Sequence, residues 1–154
     1  MEKAMNLLNM AKTWAKTQEH KMIQMSGTLH YTDYRKKYDI PAHTAGIYFL
    51  FVGDKCVYIG ETKVCIKARL RNHKRSIREP EWPVEKTGRV FKELGVQDEE
   101  FVVKYIHSGD LGLSSKAQMT YAQDTFITAY EPIGNFSKSG QTDERITEST
   151  SRMR

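Results

Sequence analysis

Arg69 and His73 stand four positions apart in TKVCIKARLRNHKRSIR, a spacing that projects both from one face of a helix. That face borders Ile66, Leu70 and Ile77, whereas Lys67, Arg71, Lys74, Arg75 and Arg78 fall on the outward side. An arginine and a histidine in that position either snorkel along a core edge or face a cleft. Just upstream, AGIYFLFVGDKCVYIG carries Tyr48 and Tyr58 on two adjacent apolar runs. Two phenols in a hairpin are, alone, ordinary packing residues. Combined with Arg69 and His73 they make a set suited to a phosphodiester. A guanidinium spreads the charge of pentavalent phosphorus, and a phenol or imidazole orients or deprotonates water.

The elements that would position these residues follow from periodicity. AGIYFLFV and CVYIG, separated by Gly-Asp-Lys, read as a hairpin with Ile47, Phe49 and Phe51 on one face and Tyr48, Leu50 and Val52 on the other. The Arg69 helix follows, with Thr62 as its N-cap and Pro80 and Pro83 as its stop. VEKTGRVFKELG reads as a further helix ended by Gly95, and FVVKYIH as a strand over 101–107. A capping box at Ser115 and Gln118 opens a helix that runs to Pro132, with Met119, Ala122, Phe126, Ile127 and Tyr130 inward. Ahead of the hairpin, Ala4, Leu7, Leu8, Ala11, Trp14 and Ala15 recur at helical spacing. The expected class is α+β, a small three-stranded antiparallel sheet flanked by helices with an N-terminal helical extension. The divisions are 1–43 for that extension and arm, 44–137 for the domain, and 138–154 for a polar, flexible tail.

Composition narrows the function classes. The 154 residues suffice for one compact core. Lys and Arg exceed Asp and Glu by 24 to 19, a net charge of +5 that favours polyanionic partners. Cys56 and Cys65 have neither CxxC spacing nor a histidine cluster, which supports neither a disulfide framework nor a zinc site. With no signal-peptide core and no apolar run of about 20 residues, the expectation is a cytoplasmic protein without a membrane span.

The chain resembles the GIY-YIG nuclease family. The likeness rests on GIY at 46–48, YIG at 58–60, ARLRNH at 68–73 with its Arg-x-x-x-His, and EPIGN at 131–135 with its Pro-x-x-Asn. It spans roughly 44–137, the whole of the usual module. The resemblance implies a DNA endonuclease that uses one Mg²⁺ or Mn²⁺ and leaves 5′-phosphate and 3′-hydroxyl ends. It further implies that Tyr48 helps activate water, Tyr58 holds the scissile phosphate, and Arg69 stabilises the transition state. His73 would assist proton transfer or orient its neighbours, and Asn135 would tie the loop after the last helix to the site. The small size suggests a phage, mobile-element or restriction-type enzyme, and a double-strand cut would need a homodimer or sequential nicking.

One position departs from the family pattern. Where the family's last long helix supplies a metal-binding glutamate, three residues before Phe126 and Ile127, this chain has Gln123. An amide lacks the charge that makes a hard oxygen ligand good for Mg²⁺, so this chain is expected to be slow or inactive. A Glu-to-Gln substitution, natural loss of catalysis and a different ligand all account for it. Asp124, about 100° round the helix, is expected on the polar side with Thr120 and Thr128.

From Lys63 to Arg78 the chain is basic and contains no acidic residue. Lys63, Lys67, Arg71, Lys74, Arg75 and Arg78 are candidate phosphate contacts, as are Arg35, Lys36 and Lys37 of the tyrosine-rich arm YTDYRKKY. That arm reads equally well as a helix packed on the core. The alternative to an enzyme is a DNA-binding module that keeps the scaffold but not catalysis; an RNA-directed protein is a weaker third reading.

Overall fold

A computed structural model of the chain describes residues 2–28, 43–78, 91, 95–97 and 100–136. The arm with Arg35, Lys36 and Lys37, most of the helix expected over 84–95 and the tail from 137 onward lie outside the described residues. The elements are α1 (Glu2–Gln18), β1 (Ile23–Thr28), β2 (Gly46–Val52), β3 (Lys55–Thr62), α2 (Ile66–Arg78), β4 (Phe101–His107), α3 (Lys116–Tyr130) and α4 (Ile133–Phe136).

The sheet, among the described residues, has four strands in the order β1-β4-β2-β3, all antiparallel, where the sequence predicted three. The extra strand is β1, whose Ser26 and Gly27 read as a break rather than as strand residues. It pairs Ile23 with Tyr105 and Gln24 with Lys104, then shifts register before Thr28 meets Val102. Tertiary pairing with β4 thus overrides a weak local signal.

β2 lies inside the sheet, and its residues from Gly46 to Phe51 are all buried. Its alternation divides the core in two. On one face Tyr48, Leu50 and Tyr58 pack with Ile66 and Leu70 of α2 and with Phe91 and Phe101. On the other, Ile47, Phe49 and Ile59 pack with Ala15 of α1 and Ala122 and Phe126 of α3. Phe126 is the hub of that side, with ring centroids 4.7 Å from Trp14 and 4.9 Å from Phe49. Truncating such a residue to alanine costs about 3–5 kcal/mol. The α1 stripe is buried at Ala11 and Ala15, while Leu7, expected inside, is 58% exposed.

The local signals are met where they were strongest. The hairpin turns through Gly53, at φ 63°, and Asp54, pairing Val52 with Lys55. Ser115 accepts from the Gln118 backbone N–H, and the Gln118 side chain returns the contact, so the capping box opens α3. The Thr62 hydroxyl accepts from the N–H groups of Val64 and Cys65, capping the turn that leads into α2 rather than its first residues. No helix among the described residues is long and apolar enough to cross a membrane.

Candidate functional site

β3 is an edge strand, and the site is built along its open side, where α2 from one face of the sheet and α3 from the other both reach past it. A bulge in β3 sets the facing. Tyr58 pairs with Leu50 and Cys56 with Phe51, leaving Val57 as the extra residue. Tyr58 therefore shares a face with Tyr48. Tyr48 pairs with Gly60, and a Cβ at position 60 would overlap the Tyr48 phenol. The glycine of YIG is what lets the tyrosine of GIY lie flat across the strand.

Arg69 and His73 leave α2 on neighbouring faces, to different depths. Ile66, Leu70 and His73 form its buried stripe, His73 being 1% exposed. The His73 ring packs against both phenols, 4.5 Å from Tyr58 and 5.6 Å from Tyr48 between centroids, the three rings forming a triangle. His73 Nε2 and the Tyr48 hydroxyl share a buried 2.7 Å hydrogen bond. A short phenol–imidazole pair in a dry setting can hold or pass one proton. Arg69 is half-buried and lines the cleft above this pair.

The far wall comes from the end of α3 and from α4. Asn135, 4% exposed, treats Ile59 as a neighbouring strand would. Its Oδ1 accepts from the Ile59 N–H at 2.8 Å and its Nδ2 donates to the Ile59 carbonyl at 2.7 Å. This satisfies the edge backbone that water or another strand would otherwise take. Gly134 permits the approach, since a Cβ there would stand 2.7 Å from the Val57 carbonyl. Gln123 Nε2 donates to the same Ile59 carbonyl at 3.2 Å. One of its two amide N–H donors is thereby used, and the carbonyl oxygen is its acceptor.

The resulting open cleft is lined by Tyr58, Glu61, Thr62, Lys63, Val64, Arg69, Lys116 and Gln123. Of the expected catalytic set, Tyr58 and Arg69 line it together with Gln123. Tyr58 lies at the base of the cleft and is as fully buried as Tyr48 and His73, and Asn135 acts on the strand behind the wall. Of the basic candidates, Lys63 lines the cleft, Lys67 is half-buried and Arg71 is exposed on α2. The side chains of Lys74, Arg75 and Arg78 lie outside the described residues. Asp124 lines a separate groove against Trp14 of α1, so it does not replace Gln123. Thr120, expected on the Asp124 side, instead donates to Glu61.

Glu61 and Lys116 are the residues that sequence reasoning missed. The Lys116 ammonium pairs with Glu61 Oε1, which also accepts from the Thr120 hydroxyl at 3.2 Å. Two patterns could have found them. Lys116, Thr120 and Gln123 occur at i, i+4 and i+7 of one helix, a single stripe. Glu61 lies two residues beyond Ile59 on the same strand face.

Among the described residues no three His, Cys, Asp or Glu side chains cluster to hold a metal, as an all-protein zinc cage would require. A Mg²⁺-type site asks for less, one or two carboxylates completed by phosphate and water. Glu61 is the one carboxylate among the described lining residues, and its buried Oε2 has no hydrogen-bond partner among the described residues. That orphaned oxygen and the Gln123 carbonyl fit such a cation. No protein-family model, curated protein or solved structure matches this chain.

Proposed function

We propose that the chain is a DNA endonuclease of the GIY-YIG type that hydrolyses phosphodiester bonds at the cleft along β3. One observation carries this reading. Tyr58 and Arg69 line the same cleft as Gln123, with the Tyr48–His73 pair directly behind. In the reaction water attacks phosphorus, the bond to the 3′-oxygen breaks, and the proton lost by water is balanced by one gained on the leaving oxygen.

The residues divide that work by depth. Arg69 spreads the charge that builds on the non-bridging oxygens, where a guanidinium can bond two of them at once. Tyr58, fully buried at the base of the cleft, supports the phosphate site from beneath. The Tyr48–His73 pair supplies the proton store behind it. Asn135 holds Ile59, and with it the register of Tyr58 against Arg69. Lys63, and Lys67 and Arg71 on α2, hold the backbone on either side without reading sequence. A divalent cation held by Glu61, with the Gln123 carbonyl, would polarise the phosphate and lower the pKa of bound water.

A second reading has its own support: the amide at position 123 contributes no charge, which suits a DNA-binding module without catalysis. Plasmid nicking in Mn²⁺ by this chain and by Gln123→Glu separates the two. Cutting by the glutamate variant supports the nuclease. Inert variants that still bind DNA support the binding module, and absence of DNA binding by both refutes the proposal.

A further inference from the structure

We infer that Glu61, on the edge strand, is the carboxylate ligand of a divalent-cation site in this cleft, and that Lys116 is the counter-ion the cation displaces. The proposal deepens the nuclease reading by naming a ligand on β3 in place of a carboxylate on α3.

The first observation is the state of the Glu61 carboxylate. Its side chain is 9% exposed, against 62% for Lys116. A buried carboxylate ordinarily has both oxygens bonded, because an unsatisfied charged acceptor away from water is costly. Here Oε1 takes both the ammonium and the Thr120 hydroxyl, while Oε2 is buried without a hydrogen-bond partner among the described residues. The carboxylate is thus half satisfied, in a cleft rather than in the core.

The second observation is a further oxygen donor in the same cleft. Gln123 lines the same cleft, its nitrogen bonded to the Ile59 carbonyl. A neutral amide oxygen is a recognised ligand type for hard cations but cannot hold one alone. One carboxylate and one amide carbonyl are hard donors, and water or phosphate oxygens can fill the remaining positions.

The third observation is the partner that can leave. Lys116 sits in the first turn of α3, mostly in solvent, on a flexible stem. An exposed ammonium is held only weakly and pays rotamer entropy to stay. A divalent cation at Oε2 would repel it. Once free, the ammonium is within the cleft and available to a phosphate, so the cation and Lys116 would divide the same anionic substrate between them.

The test is Mn²⁺ alone titrated into the full chain, followed by electron paramagnetic resonance of the free ion, with folding checked by circular dichroism. The wild type is expected to bind one Mn²⁺ weakly, at roughly 0.1–1 mM. Glu61→Gln keeps the shape and a carbonyl for the Thr120 hydroxyl, and should weaken binding by at least about tenfold. Lys116→Met leaves the ligand in place and should tighten binding severalfold. Asp124→Asn, in the neighbouring groove, should leave it unchanged. Binding that survives Glu61→Gln, failure of Lys116→Met to tighten it, or no binding by the wild type at millimolar Mn²⁺ would each overturn the inference. Because no DNA is present, these results stand apart from the nuclease reading. A chain that binds Mn²⁺ through Glu61 but never binds DNA would refute that reading alone.

Discussion

Replacing Asn135 by alanine removes two buried hydrogen bonds, of 2.8 and 2.7 Å, that the side chain makes to Ile59. Their loss is unequal. The Ile59 carbonyl keeps the Gln123 donor at 3.2 Å, so it costs little beyond the bond itself, about 1 kcal/mol. The Ile59 N–H has no such reserve and is left buried and unsatisfied, a penalty of about 1–3 kcal/mol. The sum is about 2–4 kcal/mol, which for a chain of this size lowers Tm by roughly 5–15 °C. Gln123→Ala is the internal comparison. It removes only the second donor to a carbonyl that Asn135 still satisfies, from a half-exposed position, and should cost less than about 1 kcal/mol. Urea unfolding followed by circular dichroism measures both, with an unchanged m-value confirming a pure stability effect. If Asn135→Ala proves no more destabilising than Gln123→Ala, the strand-mimicking role of Asn135 is wrong.

Gly60→Ala places a methyl group on the Tyr48 phenol; overpacking of about 1–3 kcal/mol is expected, with loss of the Tyr48–His73 hydrogen bond visible in the imidazole NMR shifts. Burial pushes the Cys56 thiol up from 9.0 to about 12, against the lowering effects of the Tyr58 backbone and Lys104. The unfolded thiol ionises first, so this stability is intact below pH 9 and lost as pH rises toward 12, by up to about 1.4 kcal/mol per unit. Cys56→Ala should therefore flatten the alkaline limb of urea-unfolding stability between pH 9 and 10.5, and an unchanged slope would contradict the assignment. The logarithm of DNA affinity should fall linearly with log salt, and Lys63→Ala or Lys67→Ala should each reduce the slope by about 1 across unrelated duplexes.

The hairpin, α3 and β4 were legible because their patterns are local and agree with the tertiary outcome. Alternation in AGIYFLFV separates the two cores by itself, and the capping box fixes the start of α3. β1 was not legible, since a glycine and a serine in a register-shifted edge strand carry no period. Within the site, the spacing of Arg69 and His73 announced a common helix side but not the difference in depth. That difference arises because His73 falls on the buried stripe with Ile66 and Leu70, whereas Arg69 sits at its edge. Glu61 and Lys116 were hidden because their meaning is relational. Each reads as an ordinary surface charge until β3 and α3 are brought together, and only then is one carboxylate oxygen left buried without a partner among the described residues. The separation of Gln123 from Asp124 was readable from helical geometry alone, yet the same geometry misplaced Thr120, which reaches across to the strand edge.

The central claim is that the cleft along β3 handles a phosphodiester, and supercoiled-plasmid relaxation by the full chain in Mn²⁺ tests it most directly. DNA binding is read in parallel by fluorescence anisotropy. The expected result is that Arg69→Ala abolishes whatever nicking Gln123→Glu displays while weakening binding only modestly. Nicking that survives Arg69→Ala at full rate, or duplex binding indifferent to salt, would contradict it.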